Sequence, residues 1–305
     1  MAPSTTPDAP FGRMLTAMIT PMRADGSVDE AGAAELAVRL VDERRHDGLV
    51  INGTTGESPT TDDAEKERVL RAVVEAVGDR ATIVFGAGSN DTRHSIHLAK
   101  VAERAGADGL LTVCPYYNKP PQEGIYRHMT AIADSTGLPV MLYDIPGRAG
   151  VPIESQTLIR LAEHPRIVAV KDAKADLFAS SQVMAVTDLA YYSGDDNLNL
   201  AWLSQGAVGF VSVVGHVAGT ELHEMIELYR SGDVTGALAI HRRLLPVVTA
   251  IMTRTQGVIA VKAALALQGL PSGVVRAPLV DATPEFTAQL REDLITGGIK
   301  VEAAE

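Results

Sequence analysis

The chain has few of the features that mark a secreted, membrane-bound or nucleic-acid-binding protein. Its 305 residues include one cysteine, Cys114, so no intramolecular disulfide can form, which suits a reducing compartment. No apolar run approaches the ~20 residues of a membrane span, and the first ten residues lack the basic and apolar regions of a signal peptide. The net charge of −11, without a basic block, argues against nucleic acid or an anionic membrane as a partner. We therefore expect a cytoplasmic protein.

Cofactor and metal motifs are also missing. The segment GAGSND at 86–91 lacks the third glycine of a dinucleotide-binding fingerprint, and GTTGES at 53–58 lacks the Gly-Lys-Ser/Thr of a P-loop. The eight histidines are scattered, and the adjacent Asp195 and Asp196 tend to point apart, so no ligand set has metal-binding spacing. The sequence predicts neither a metal nor an organic cofactor.

Hydrophobic residues make up 46% of the chain, enough for a large core. Short apolar runs alternate with amphipathic segments, and the runs lie at about 14–20, 49–52, 82–86, 109–114, 139–143, 167–171, 190–193 and 208–213. This alternation predicts parallel strands joined by helices, and eight such units favour a (β/α)8 (TIM) barrel over an open doubly wound sheet. After residue 232 only three helical patterns follow. We predict a flexible tail at 1–10, a catalytic barrel at 11–232 and a C-terminal three-helix extension at 233–305.

One predicted strand ends on an ammonium group. In RIVAVKDAKAD, at 166–176, an apolar run leads directly into Lys171, although lysine is among the residues least often fully buried. The residue is either the first solvated position after the strand or an amine held in an apolar pocket and thereby kept nucleophilic. The other residues at the carboxyl ends of the strands decide between these readings.

Several polar groups are predicted at the same mouth of the barrel. Thr54 and Thr55 stand between two glycines after the second strand, where hydroxyl and backbone N–H groups can hold a carboxylate. Tyr143 ends the fifth strand and could carry protons, while Arg148 follows in the loop with a fork suited to a carboxylate. Each residue alone has an ordinary structural explanation. Together with Lys171 they fit imine chemistry on a keto acid.

These motifs resemble a known family. The segments GTTGES, PYYNKPPQEG, LYDIPGRAG, VKDAKAD, YYSGDDN and GFVSV occur in the order and at the spacing of the dihydrodipicolinate synthase family. That family lies within the pyruvate-dependent class I aldolases, which also include N-acetylneuraminate lyase. The likeness runs from residue 15 to the C-terminal helices. It implies condensation of pyruvate with L-aspartate 4-semialdehyde through a lysine Schiff base, in lysine and diaminopimelate biosynthesis.

The resemblance also implies a proton relay and an assembly. Lys171 would form the imine with pyruvate, and Tyr143 would shuttle protons to and from it. Thr54 would link Tyr143 to Tyr117, which in this family reaches in from a neighbouring subunit. The resemblance therefore implies a homo-oligomer, namely a homotetramer built as a dimer of dimers.

Substrate contacts follow from the same resemblance. Thr55 would hold the pyruvate carboxylate, Gly194 and Val211 would line the pocket, and Arg148 would receive the carboxylate of the aldehyde. Sialic-acid lyases of the family usually lack that arginine. Two alternatives stay open: a related pyruvate aldolase that uses a different aldehyde, and a barrel that binds pyruvate without turnover.

The sequence departs from the family pattern beside the predicted site. Asp144 stands where asparagine is common, Asp172 where glutamate is frequent, and Lys174 where a small hydroxyl residue is common. These changes leave the predicted reaction class intact and bear on fine substrate preference.

A second set of positions corresponds to the site where lysine binds in feedback-inhibited members of the family. The positions that match that pattern are Ser58, Asn90 and Tyr116. The positions that differ from it are Asp63, Lys66 and His94. The changes add a cation and remove a carboxylate near a cationic ligand. We expect weak or absent inhibition by lysine.

Overall fold

The computed structural model describes residues 8–302, which form a closed barrel of eight parallel strands in chain order, the last paired with the first. The strands are β1 (Met14–Ala17), β2 (Gly48–Ile51), β3 (Thr82–Gly86), β4 (Gly109–Val113), β5 (Val140–Asp144), β6 (Ile167–Asp172), β7 (Ala190–Ser193) and β8 (Gly209–Ser212). Every predicted strand is present, so the predicted TIM barrel is confirmed. Most of the predicted tail, residues 1–7, lies outside the described residues.

Helices follow the strands around the barrel. They are α1 (Glu30–Val38), α2 (Asp63–Val77), α3 (Thr92–Ala105), α4 (Gln122–Asp134), α5 (Pro146–Ala149), α6 (Ser155–Leu161), α7 (Leu177–Met184), α8 (Asn199–Gln205), α9 (Gly215–Arg230), α10 (Val234–Met252), α11 (Gly257–Ala266) and α12 (Pro284–Thr296). The predicted helix at 62–78 begins with a capping box, in which Asp62 and Glu65 each accept a hydrogen bond from the other's backbone N–H. The segment carrying Arg148, predicted as a loop, contains the short helix α5, which has Pro146 in its first turn.

Alternation along each strand divides the apolar side chains into two cores. In β5, Met141 and Tyr143 lie inside the barrel, whereas Val140 and Leu142 pack between the strands and the helices. The same alternation places Asp144 on the outer side of the strand, directly after Tyr143. Each strand end therefore offers one residue to the barrel mouth and the next to the layer behind it.

The C-terminal extension consists of α10, α11 and α12, which matches the three predicted helices. By length and composition alone α10 could cross a membrane, although Arg242 and Arg243 interrupt its apolar residues. However, 39% of its most apolar window is buried in the protein, and core helices of soluble proteins pass the same test. The boundary predicted at 232/233 stays a prediction.

A buried ion pair connects the extension to the barrel mouth. The Lys262 ammonium on α11 lies 2.6 Å from the Glu57 carboxylate, and both side chains are almost completely buried. Lys262 also donates to the Val274 carbonyl at 2.6 Å, and Glu57 accepts from the Arg276 backbone N–H at 2.8 Å. Because Glu57 belongs to the GTTGES loop, the extension holds that loop in place from behind.

Candidate active site

A cavity of about 380 Å3 opens at the carboxyl ends of the strands. Three residues predicted for catalysis or substrate binding line it directly: Thr54, Tyr143 and Arg148. Ser58 and Tyr116, two of the positions predicted for lysine binding, line the same cavity. The tertiary structure therefore brings residues from the loops after β2, β4 and β5 to one place, as the barrel rule predicts.

Lys171 lies beside this group. It is the register partner of Tyr143 across β5 and β6, its side chain is buried, and its Nζ is 4.3 Å from the centre of the Tyr143 ring. Burial lowers the pKa of Lys171 to about 8; the Asp196 carboxylate opposes this shift, and the Arg148 guanidinium reinforces it. A larger share of the amine is therefore neutral near pH 7 than for a solvated lysine. The pocket reading of Lys171 is the one the structure supports.

Asp196 has a role near the site that the sequence did not reveal. The sequence pattern presents this residue only as one member of an unsuitable pair of metal ligands. In the structure its side chain is buried, and the backbone N–H groups of Val213 and Val214 donate to it at 2.7 and 3.0 Å. The Ser212 hydroxyl donates to its other oxygen at 2.5 Å. These donors hold a carboxylate near the Lys171 amine, whose pKa it raises. The only sequence signal was its place directly after β7.

The Tyr143 phenol keeps its proton at neutral pH. Burial raises the pKa of Tyr143 to about 12, while the Arg148 guanidinium and the nearby Thr54 hydroxyl act in the opposite direction. Tyr143 is 5% exposed, at the boundary between the barrel interior and the cavity. It can thus give a proton to a reacting group and recover it from Thr54.

The loop carrying Thr54 and Thr55 is tightly folded. Asn52 and Glu57, on either side, have positive φ angles of 58° and 55°, a conformation that costs non-glycine residues about 1–2 kcal/mol each. At Gly86 in β3 a Cβ atom would stand 2.4 Å from the Asn52 carbonyl oxygen, so only glycine allows this approach. The strain lies where the loop borders the cavity. Thr55 itself is buried and does not line the cavity.

Gly194 and Val211 lie next to the lysine and inside the barrel, respectively. A Cβ atom at Gly194 would be 2.9 Å from Lys171 Cγ, so glycine leaves the space that the lysine side chain occupies. Val211 belongs to the inner core together with Tyr143. Neither residue is among those that line the cavity, so the pocket-lining roles predicted for them stay predictions.

Tyr117 does not join the cavity of its own chain. It is 90% exposed, has a positive φ of 72°, and is absent from the cavity lining, whereas its neighbour Tyr116 takes part in that lining. An exposed aromatic side chain at the tip of a loop is available for contact with another molecule. Its predicted role in a neighbouring subunit stays a prediction.

The altered lysine-site positions interact with one another or with the backbone. His94 Nε2 lies 3.0 Å from the Asp63 carboxylate, so Asp63 already has a partner. The Lys66 side chain is buried, and its ammonium donates to the Thr61 carbonyl. Burial lowers the pKa of Lys66. Asn90 contributes its carbonyl to a hydrogen bond from Asn118 at 2.9 Å.

Comparisons with known proteins agree with this geometry. The model of the dihydrodipicolinate synthetase family matches residues 10–296. A Streptomyces coelicolor protein named 4-hydroxy-tetrahydrodipicolinate synthase 2 is 65% identical over 301 residues, 99% of this chain and 100% of that protein. A Cyanidioschyzon merolae dihydrodipicolinate synthase, solved with lysine bound, has a TM-score of 0.92 and 42% identity, over 95% of this chain and 99% of that one. A chloride-inhibited dihydrodipicolinate synthase from Acinetobacter baumannii, solved with pyruvate, has a TM-score of 0.90 and 34% identity, over 95% and 100%.

Fold and site together define a (β/α)8 barrel with a buried, partly neutral amine at its mouth. The chain belongs to the dihydrodipicolinate synthetase family. The resemblance read from the sequence motifs is therefore confirmed.

We expect lysine to inhibit this protein weakly or not at all. The Asp63 carboxylate is already engaged by His94. Lys66 places an ammonium, which donates to a backbone carbonyl, near a cationic ligand that needs an acceptor. Loss of one charged hydrogen bond costs roughly 1.5–3 kcal/mol, about ten- to a hundredfold in affinity. The measurement is initial rate against lysine concentration, with sodium chloride at matched ionic strength as the control. Half-inhibition at sub-millimolar lysine would contradict the expectation.

Proposed function

We propose that this chain condenses pyruvate with L-aspartate 4-semialdehyde through a Schiff base on Lys171, the reaction of 4-hydroxy-tetrahydrodipicolinate synthase. The observation that carries the proposal is the buried Lys171 amine against the Tyr143 ring, with its pKa lowered to about 8. The predicted lyase function, in lysine and diaminopimelate biosynthesis, is confirmed by relatives of that name at 55–66% identity. The names of these relatives favour the synthase reaction over the two alternatives, a pyruvate aldolase that uses a different aldehyde and a barrel that binds pyruvate without turnover.

The chemistry begins with the neutral Lys171 amine. It attacks the keto carbon of pyruvate, and loss of water leaves a protonated imine. This imine withdraws electrons, so a methyl proton can leave and an enamine forms. The enamine carbon attacks the aldehyde, whose oxygen takes a proton. The amino group of the semialdehyde then attacks the imine carbon, which closes the ring and releases Lys171.

Tyr143 is suited to move the protons in these steps. Its phenol is protonated at neutral pH because burial raises its pKa to about 12, and it lies against the amine. Thr54 stands behind it at the cavity wall. In the proposal, Tyr117 of a neighbouring subunit extends this relay, which accounts for an aromatic side chain that is 90% exposed in the single chain. In the proposal the assembly is a homo-oligomer, namely a homotetramer built as a dimer of dimers.

The two substrate carboxylates are assigned to different residues. Thr55 and the backbone of its loop receive the pyruvate carboxylate at the cavity wall, where Gly53 and Thr54 line the cavity and Thr55 is buried next to them in the chain. Arg148, exposed on α5 and lining the cavity, receives the carboxylate of the semialdehyde. Within residues 8–302 Arg148 has no ion-pair partner, so its guanidinium is available to a substrate. We place the enzyme in the cytoplasm, with its biosynthetic substrates.

Reduction of the imine tests the proposal most directly. With pyruvate and borohydride, we expect one adduct per chain on a peptide containing Lys171, and none in Lys171→Ala, which should also lose nearly all turnover. Mass spectrometry of the digested protein locates the adduct. Because only the neutral amine attacks, the rate of adduct formation at low pyruvate should rise with pH through about 8. An adduct on Lys174 or Lys262 would contradict the assignment.

Arg148→Ala separates the two substrates. Because the guanidinium is assigned to the aldehyde's carboxylate, KM for aspartate semialdehyde should rise about ten- to a hundredfold, the value of a charge-assisted bidentate contact. The change for pyruvate should be much smaller, since Arg148 acts on the pyruvate step only through the pKa of Lys171 and Tyr143. Arg148→Lys keeps the charge without the fork and should lie between the two. Steady-state rates with each substrate varied in turn give both constants. Equal effects on both substrates would indicate a structural role for Arg148.

Mixed oligomers test the contribution of Tyr117. Neither Tyr117→Phe nor Lys171→Ala chains should be fully active alone, but a hybrid dimer keeps both groups in one of its two sites, so activity should partly recover. Hybrids of Arg148→Ala and Lys171→Ala are the matched control, because both residues act within one chain and no site is restored. Without recovery in verified hybrids, Tyr117 would act within its own chain.

A further inference from the structure

A buried ionic cluster lies behind the two strand ends that carry Tyr143 and Lys171. These residues are register partners, and the next pair in the same register is Asp144 on β5 opposite Asp172 on β6. Both aspartates have no exposed surface. By strand alternation their side chains face the layer between strands and helices, on the opposite side from the reactive pair.

Lys174 bridges the two carboxylates. Its Nζ lies 3.3 Å from Asp144 Oδ2 and 3.8 Å from Asp172 Oδ2, and its side chain is 12% exposed. Its own backbone N–H also donates to Asp172 Oδ1 at 2.8 Å. One residue therefore binds both strand ends through its ammonium and holds one of them through its backbone as well.

The other donors in the cluster serve one carboxylate each. The Ser180 hydroxyl donates to Asp172 Oδ2 at 2.6 Å, and the Ile153 N–H donates to Asp144 Oδ1 at 3.1 Å. Among the described residues, Asp144 Oδ2 has no partner other than the Lys174 ammonium. Lys174 is thus the only bridge between the carboxylates in this part of the chain.

Two carboxylates directly opposite on neighbouring strands repel each other. Burial raises the pKa of Asp144, to about 6, and that of Asp172, while Lys174 lowers both. Without the ammonium, the pair would separate the strand ends or take up a proton. The position matters because the hydrogen-bond ladder is close to its end here: Ala173 N–H donates to the Asp144 carbonyl at 2.9 Å.

We propose that Lys174 is a positioning residue for the reaction: by clamping Asp144 to Asp172 it fixes the ends of β5 and β6, and with them the spacing of Tyr143 and Lys171. The inference rests on the proposed function, in which these two residues form the imine and carry its protons. Each clamped aspartate directly follows one of them in the chain, so separation of the aspartates displaces the reactive pair. A displacement of about 1 Å at such a pair can cost a hundredfold in rate.

Lys174→Met tests the clamp, since it removes the ammonium and keeps a chain of similar length. Rapid borohydride trapping across pyruvate concentrations gives the rate constant for imine formation separately from the half-saturating pyruvate concentration. We expect the rate constant to fall at least tenfold and the half-saturating concentration to change less than threefold. Lys174→Gln keeps an amide donor and is less destabilising, and its rate constant for imine formation should fall at least threefold. This variant replaces Lys174→Met in the test if the Met variant fails to fold.

A compensating change distinguishes positioning from general stability. In Lys174→Met/Asp144→Asn the neutral amide removes the repulsion from Asp172 and adds an NH2 donor on the same side of the sheet. We expect the imine rate constant to return to within about threefold of the unsubstituted chain. Persistent loss in the folded double variant would overturn the clamp.

Arg254→Met is the matched control. It removes a cation from another partly buried ion pair, with Asp293, which joins the segment after α10 to α12 and does not touch β5 or β6. It should lower the unfolding free energy without changing the imine rate constant. If Lys174→Met behaves in the same way, its role is only structural and the inference is wrong. If the unsubstituted chain traps no adduct on Lys171, the proposed function fails and the inference with it.

Discussion

The burial of one amine at the end of β6 is the constraint on which the site depends. A lysine in water is almost entirely protonated at neutral pH, and a protonated amine is not a nucleophile. The barrel interior removes water from Lys171, and this desolvation lowers its pKa to about 8. The Tyr143 ring lies against the amine, with its centre 4.3 Å from Nζ. The closed sheet makes this possible, because only a strand paired on both sides can hold a charged group at such a depth without exposing its own backbone.

Burial makes the ammonium form of Lys171 costly, and two nearby charges adjust that cost in opposite directions. Asp196, held by backbone N–H groups, opposes the pKa shift, and Arg148 at the cavity edge reinforces it. The resulting pKa is a balance between desolvation and two fixed charges. Asp144 and Asp172 belong to a separate ionic layer behind the strands, where Lys174 offsets their repulsion. Two layers of charge, one facing each side of the sheet, thus share the same strand ends.

The C-terminal extension contributes to the site although none of its residues up to 302 lines the cavity. The buried Lys262–Glu57 pair, 2.6 Å apart, supports the loop that carries Thr54 and Thr55. That loop contains strained backbone at Glu57, where φ is 55°. Strain of this kind persists only where the surroundings hold it, and the contacts from α11 and from the Arg276 backbone provide that hold.

The sequence by itself determined the barrel and the family, and it singled out Lys171 as the predicted nucleophile. Apolar runs alternating with amphipathic segments specify a parallel sheet because both faces of each strand are buried, and Lys171, Thr54 and Tyr143 stand at predictable strand ends. The tertiary structure alone decided which groups act on one another. The Asp196 carboxylate acts on the pKa of Lys171, and Lys174 bridges β5 and β6. Both interactions join residues that come close only through strand register and side-chain direction. The local sequence pattern does not predict these two interactions, because desolvation and charge pairing arise only when distant segments pack together.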